Sequence, residues 1–452
     1  MHKEILEKIK KSVPLSEQEL AYVHEMFSSG LRWEKKKESC EESLTNMMPV
    51  LEEIAENSIV HGTQYPTHKL IEGENLYSLM SLAQTHCEKI ELIYIDPPYN
   101  RGMNDFVYQD NYIDGRDVYR HSGWLSFMEK RLRIAHTLLD KEGFIFISID
   151  HHELAQLKLL MDSIFGEENC IQIFSWVKTR TPSNLSQKTK EMVEYILCYQ
   201  KAPNKIRFRG IQKHSKSDNP MLKPNATFRE LVFPAGSLSL RLKATHVSKG
   251  VYGTRTNCVE LIDDLDIKNQ TNVCSARIQG KFVWTQGKLE EELRRGTKIS
   301  IKTKSMILSY EKTSYAPEVP PNLIDVAVGV DTNEQAKNEL FNLDIRGFDY
   351  PKPTSLIRYI LRFLPKKEFC FLDFFAGSGT SAHAAMMLNE HEGYTISSIL
   401  CTNNQNDIVT NVTYPRLERV IKGYISQGGK KTQPLHHNNL LHYRCVLQEK
   451  IL

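Results

Sequence analysis

Residues 92–100, Leu-Ile-Tyr-Ile-Asp-Pro-Pro-Tyr-Asn, start as a buried strand and stop at a stiff corner. Four apolar residues suit a strand covered on both faces. Prolines 97 and 98 then fix their own φ near −65° and restrict the residue before each. Asp96 and Tyr99 are thus held with little freedom. Outward from this stretch the chain alternates strand and helix patterns. KLIEG, ELIYI and FIFISI read as strands, and NLYSLMSLAQ, WLSFMEKRLRIAHTLL and HELAQLKLLMDSIF as helices. Strands joined by helical crossovers predict a doubly wound, mostly parallel α/β sheet of Rossmann-like form.

The pattern breaks after MVEYILCYQK. From 201 to 345 the chain carries short β-like pieces and turn formers, and from 346 it returns to α/β with TSLIRYILRFL, EFCFLDFF, SAHAAMMLNE and YTISSILC. The expected organisation has an N-terminal helical segment at 1–60 and a first α/β part at 61–200. An inserted α+β domain at 201–345, a second α/β part at 346–425 and a loosely ordered tail at 426–452 follow. Ser16 and Glu19 have the spacing of a helix-capping box.

The 452 residues carry 58 Lys and Arg against 55 Asp and Glu, so overall charge singles out no partner. Distribution does. Between Lys201 and Arg255 stand twelve basic residues and two acidic ones, and Lys205, Arg207, Arg209, Lys213, Arg241 and Lys243 are candidates for phosphate contacts. Alone, such a run equally fits a solvated basic face. Nine cysteines without a CxxC pair support neither zinc nor a disulfide framework. Asp150-His151-His152-Glu153 lacks metalloprotease spacing, so no metal is expected. With no membrane-length apolar run and no signal-like start, the expected location is the cytoplasm.

A second strand end faces the same crevice, beyond the carboxyl ends of parallel strands. It reads Asp373-Phe374-Phe375-Ala376-Gly377-Ser378-Gly379-Thr380. Gly377 and Gly379 permit close approach of a nucleotide-type cofactor. With Ala382 the spacing also fits a dinucleotide pattern, which keeps an NAD-dependent oxidoreductase open as an alternative. At the first corner, a carboxylate beside a free proline carbonyl suits an amino group with two hydrogens, and a tyrosine ring offers a stacking face for a base.

Together the two corners resemble the β class of DNA amino-methyltransferases, in which DPPY precedes the recognition region and F-x-G-x-G comes late. IEGENLYSLMSL, IDPPYNRG, FVYQDNY, FLDFFAGSGTSAHA, CTNNQNDI and TYPRLERVIKG are similar to the modification subunits of type III restriction systems and their solitary relatives. The resemblance implies S-adenosylmethionine-dependent methylation of adenine N6 on a base flipped from double-stranded DNA. It gives Asp96, Pro97, Pro98 and Tyr99 the catalytic corner. Asp96, Asp373, Phe375, Ala376, Gly377, Ser378, Gly379 and Thr380 would hold the cofactor. Lys352 and Thr354 would meet its carboxylate, and Asn403 its ribose, where many relatives have an acidic residue. A homodimer, and possibly a separate restriction subunit, are implied as partners. Cytosine-N4 methylation and a DNA-binding specificity subunit without catalysis remain the alternatives; Asp96 favours adenine.

Overall fold

The structure, a computed structural model, describes residues 38–102, 120–182, 187–211, 219–254, 257–313, 315 and 317–450, with isolated positions before 38. Two compact units emerge, one running to Gly210 and resuming at Val319, the other spanning Ile211–Glu318.

The first unit is built on a ten-stranded sheet. Its strands are β1 (Met47–Glu53), β2 (Thr67–Glu72), β3 (Ile90–Ile95), β4 (Leu139–Ile149), β5 (Cys170–Val177), β6 (Val193–Gln200), β7 (Leu323–Ile324), β8 (Glu368–Asp373), β9 (Thr395–Thr402) and β10 (Asn439–Glu449). They lie in the order β1-β10-β2-β9-β8-β3-β4-β6-β5-β7. The central run from β10 to β4 is parallel, whereas β6 is antiparallel to both β4 and β5. Besides a short helical turn at Ser39–Ser43, the unit's helices among the described residues are α1 (Asn75–Thr85), α2 (Arg120–Leu138), α3 (Leu154–Phe165), α4 (Asn333–Asn342), α5 (Thr354–Leu361), α6 (Thr380–Glu392) and α7 (Tyr414–Lys422).

The strand period of two decides which side each β3 residue serves. Ile93 and Ile95 join the core cluster that includes α1, α2 and α3. Leu92 and Tyr94 join the cluster on the other face, with α5 and α6. Both faces are therefore covered, as the continuous apolar run in β3 predicts.

The second unit has its own core, with Phe233, Phe282, Leu289 and Ile299 among its buried residues. It combines a seven-stranded and a four-stranded sheet of short strands with one helix, Gln286–Arg294. Its ends meet: Glu318 N donates to Ile211 O at 3.3 Å.

Three expectations need correction. The insert is narrower than 201–345. Phe208 packs among Phe144, Phe146 and Phe363 in the first unit, and β7 pairs in parallel with β5 of the main sheet. Residues 1–60 are not helical throughout, because 47–53 form β1. Nor is the tail loose, since β10 pairs antiparallel with β1 and parallel with β2. The Ser16/Glu19 capping box does form, with Ser16 N donating to the Glu19 carboxylate and Glu19 N to Ser16 Oγ. FVYQDNY and Lys213 lie outside the described residues. Among those residues, no helix is long and apolar enough to cross a membrane.

Candidate active site

Strands β3 and β8 are parallel neighbours, with Leu92 opposite Phe371 and Ile93 opposite Leu372. Their carboxyl ends therefore put Asp96 and Asp373 on the same edge of the sheet. Trp124, fully buried on α2, donates from Nε1 to Pro98 O at 2.7 Å and anchors the corner from below. Asn100 closes the turn at φ +56° and donates to the buried Glu153 carboxylate.

A charged cluster surrounds the corner. Lys352 Nζ lies 2.8 and 2.7 Å from the two Asp96 oxygens and 2.9 Å from the Tyr99 hydroxyl. The Tyr99 hydroxyl is also 2.8 Å from Asp96 Oδ1 and 3.1 Å from Glu194 Oε2. Glu194, buried on β6, also faces Lys352, Lys178 and Arg101 at 3.4 Å each. Burial works against the charge on Glu194, but Lys352, Lys178 and Arg101 outweigh it and hold this carboxyl below its ordinary range. Burial likewise opposes the Lys352 ammonium, and the Asp96 and Glu194 carboxylates more than offset it. Tyr99 is pushed well up by burial and by the same two carboxylates, so it stays a neutral hydroxyl. Its ring is not an open face: Tyr99 is 6% exposed, and the Arg101 guanidinium lies 4.9 Å from its centroid.

At the second corner the chain leaves β8 through Asp373, whose carboxylate accepts from Phe375 N at 3.0 Å and Ser381 Oγ at 2.6 Å. Burial overrides those donors and pushes the carboxyl up to about 7. Gly377 and Gly379 adopt φ +48° and +73°, in the left-handed region. A β-carbon at Gly377 would meet Phe348 at 3.3 Å, and one at Gly379 would meet Thr413 at 3.2 Å. This loop leads directly into the N-terminus of α6. Ala376 N donates to Cys401 O at 3.2 Å, and Thr413 Oγ1 donates to Gly377 O at 2.6 Å. Arg416, fully buried on α7, ties Ser378 Oγ and Thr380 Oγ1 to Glu339. A glycine turn over a helix start, buried except at Gly377 and braced by a buried arginine, has the form that receives a nucleotide-type cofactor.

Lys352 and Thr354 do not stand ready for a cofactor carboxylate. Lys352 belongs to the Asp96 cluster, the nearest pair of acceptors for its ammonium. Thr354 N and Oγ1 both donate to Glu339 on α4. Asn403 sits beyond β9 and lines a cavity of about 410 Å³ with Glu72, Gly73, Glu74 and Arg444; its Oδ1 accepts from Gln405 N.

Among the candidate phosphate contacts, Lys205, Arg207 and Arg209 are exposed on the first unit, and Arg241 and Lys243 on the second. The Asp150-His151-His152 group could gather around a cation, but Asp150 is already engaged by Arg101 at 2.7 Å and by His152 N at 2.9 Å.

Sequence reasoning missed Glu194, Arg101, Trp124 and Arg416. A single buried charge leaves no periodic signal, although Arg101 directly follows the corner and Arg416 lies within the quoted TYPRLERVIKG.

A family of DNA methylases matches residues 90–410. The StyLTI type III Mod subunit of Salmonella typhimurium is 31% identical over 90% of this chain and 64% of its own length. The type II methyltransferase M.KpnI of Klebsiella pneumoniae is 30% identical over 76% of this chain and 82% of its own. The EcoP15I Mod subunit of Escherichia coli is 29% identical over 81% of this chain and 65% of its own. The chain thus spans just under two thirds of the length of these type III relatives. With the family matched across both corners and the insert between them, this chain belongs to the DNA methylase family.

Proposed function

We propose that the chain methylates adenine N6 in double-stranded DNA, using S-adenosylmethionine. The observation that carries this is the adjacency of the two corners, an acceptor-rich Asp-Pro-Pro-Tyr turn and a glycine loop at the ends of neighbouring parallel strands. Bound S-adenosylmethionine supplies a methyl group on a sulfonium, ready for direct attack by nitrogen. The chain's part is to prepare that nitrogen. The Asp96 carboxylate and the Pro97 carbonyl accept the two amine hydrogens, which draws the lone pair out of conjugation and aims it toward the cofactor loop.

A base inside a duplex cannot reach this corner, so it must be flipped out at a cost of a few kcal/mol. Exposed cations such as Lys205, Arg207, Arg241 and Lys243 offset that cost through phosphate contacts, and binding weakens steeply with salt. An aspartate at the first position of the corner supports adenine over cytosine. The chain is further proposed to act in the cytoplasm as a homodimer and as the modification partner of a separate restriction chain.

The test is methyl transfer from labelled S-adenosylmethionine to unmethylated genomic DNA, followed by nucleoside mass spectrometry and by sequencing that maps the modified site. N6-methyladenine in the wild type and its loss in Asp96→Ala, with cofactor binding retained, are expected. N4-methylcytosine would overturn the base assignment, and full activity in Asp96→Ala would overturn the mechanism.

A further inference from the structure

The base-binding corner is filled by the chain's own cations. The Arg101 guanidinium lies 4.9 Å from the centroid of Tyr99 and 5.6 Å from that of Tyr350. A guanidinium is flat, delocalised and inclined to stack on aromatic faces. It therefore lies within reach of both rings, where a planar base would also stack. The Lys352 ammonium meanwhile donates to both Asp96 oxygens, the acceptors an exocyclic amine requires. Ring and amine of the absent base are each matched by a side chain.

We propose that Arg101 and Lys352 are stand-ins displaced when the flipped base enters, and that Tyr350 is the second wall of the base pocket, opposite Tyr99. This rests on the reading of the chain as a base-flipping methyltransferase. Tyr350 is 68% exposed, an aromatic ring left in water on a segment stiffened by Pro351 and Pro353. Packing of the unit does not explain it; stacking on an incoming base does. The stand-ins also have somewhere to go. Arg101 retains a 28% exposed side chain and the Asp150 carboxylate at 2.7 Å, so its guanidinium can leave the Tyr99 face toward solvent without losing that partner. Lys352 already has Glu194 Oε2 at 3.4 Å, a second carboxylate to move toward as Asp96 turns to the amine. Glu194 is thereby a positioning residue, acting through Lys352 and Tyr99.

The experiment uses the full chain and DNA carrying the site mapped above, with adenine or the fluorescent analogue 2-aminopurine at the target position. Tyr350→Ala removes one stacking face, and the half-saturating DNA concentration rises about 5- to 100-fold. The thermal shift given by S-adenosylhomocysteine is unchanged. Tyr350→Phe restores wild-type behaviour, since only the ring is used. Arg101→Ala removes a competitor, so DNA with a mismatched, already unpaired target base binds more tightly than to wild type. If the wild-type chain transfers no methyl group to DNA, the parent reading fails and takes this one with it. If the wild type is active but Tyr350→Ala leaves half-saturation and 2-aminopurine fluorescence unchanged, the second wall is refuted. A Phe variant as impaired as Ala refutes it too, and weaker capture by Arg101→Ala refutes the stand-in role.

Discussion

Asp96 shares both carboxylate oxygens with the Lys352 ammonium, whereas Asp373, at the end of the neighbouring strand, is held by a hydroxyl and an amide. Burial sets the response of Asp373 to pH. Asp373 has its folded pKa raised by burial from 3.8 to about 7. Between those values the unfolded chain has released a proton that the folded chain keeps, so stability contributed by this group is complete below about 4 and is lost as pH rises through 7. Asp373→Asn removes that dependence. In urea titrations of the ligand-free chain, the variant should gain on wild type from pH 5 to pH 8 by on the order of a few kcal/mol, at about 1.4 kcal/mol per pKa unit. A pH-independent difference would mean that Asp373 is ionised throughout. This behaviour was not visible in the sequence, where Asp96 and Asp373 are simply two acids at strand ends. The DPPY and glycine corners were legible because proline and glycine act locally; the lysine on Asp96 comes from 256 positions away.

Among the elements, β10 is one that periodicity concealed. It follows a run of Gly, Lys, His and Asn, and its burial alternates only at the start, as expected of a strand with one covered face fading into solvent. Its place is set instead by a buried polar knot at its entrance. Asn438 Oδ1 accepts from Asn389 Nδ2 at 2.9 Å and lies 2.9 Å from His68 Nε2, while His68 Nδ1 lies 2.7 Å from Ser398 Oγ. One residue of the tail thus binds β2, α6 and β9 together. Burial pushes His68 down to about 4, so it is neutral in the fold. Its stabilising share is full above 6.5 and is lost as pH falls toward 4. Asn438→Ala strands both partners and should lower stability by about 1–3 kcal/mol. An unchanged urea midpoint would show that water replaces the amide at no cost. β3 and β4 needed no such device to be foreseen, because a continuous apolar run marks a strand covered on both faces.

For the whole molecule, the decisive fact is that the two ends of Ile211–Glu318 are joined to each other by a backbone hydrogen bond. Replacing that span with a short glycine-serine linker should leave the ten-stranded sheet folded. The shortened chain is expected to keep the thermal shift given by S-adenosylhomocysteine and to lose retention of duplex DNA on a filter. Loss of both would show that the sheet depends on the insert for its stability. The break in strand-helix alternation announced the insert, but its borders were drawn too wide on both sides. Phe208 and Leu323-Ile324 belong to the main sheet's packing, and local composition cannot tell which of two cores an apolar residue joins.

The meeting of the insert's two ends also bears on how such a chain can change over generations. A segment whose two ends already touch can be exchanged for another of different length by recombination at its borders, without shifting the register of any strand in the host sheet. Under the proposed function, the sheet with its two corners would survive the exchange, and only the insert's contacts with DNA would be new.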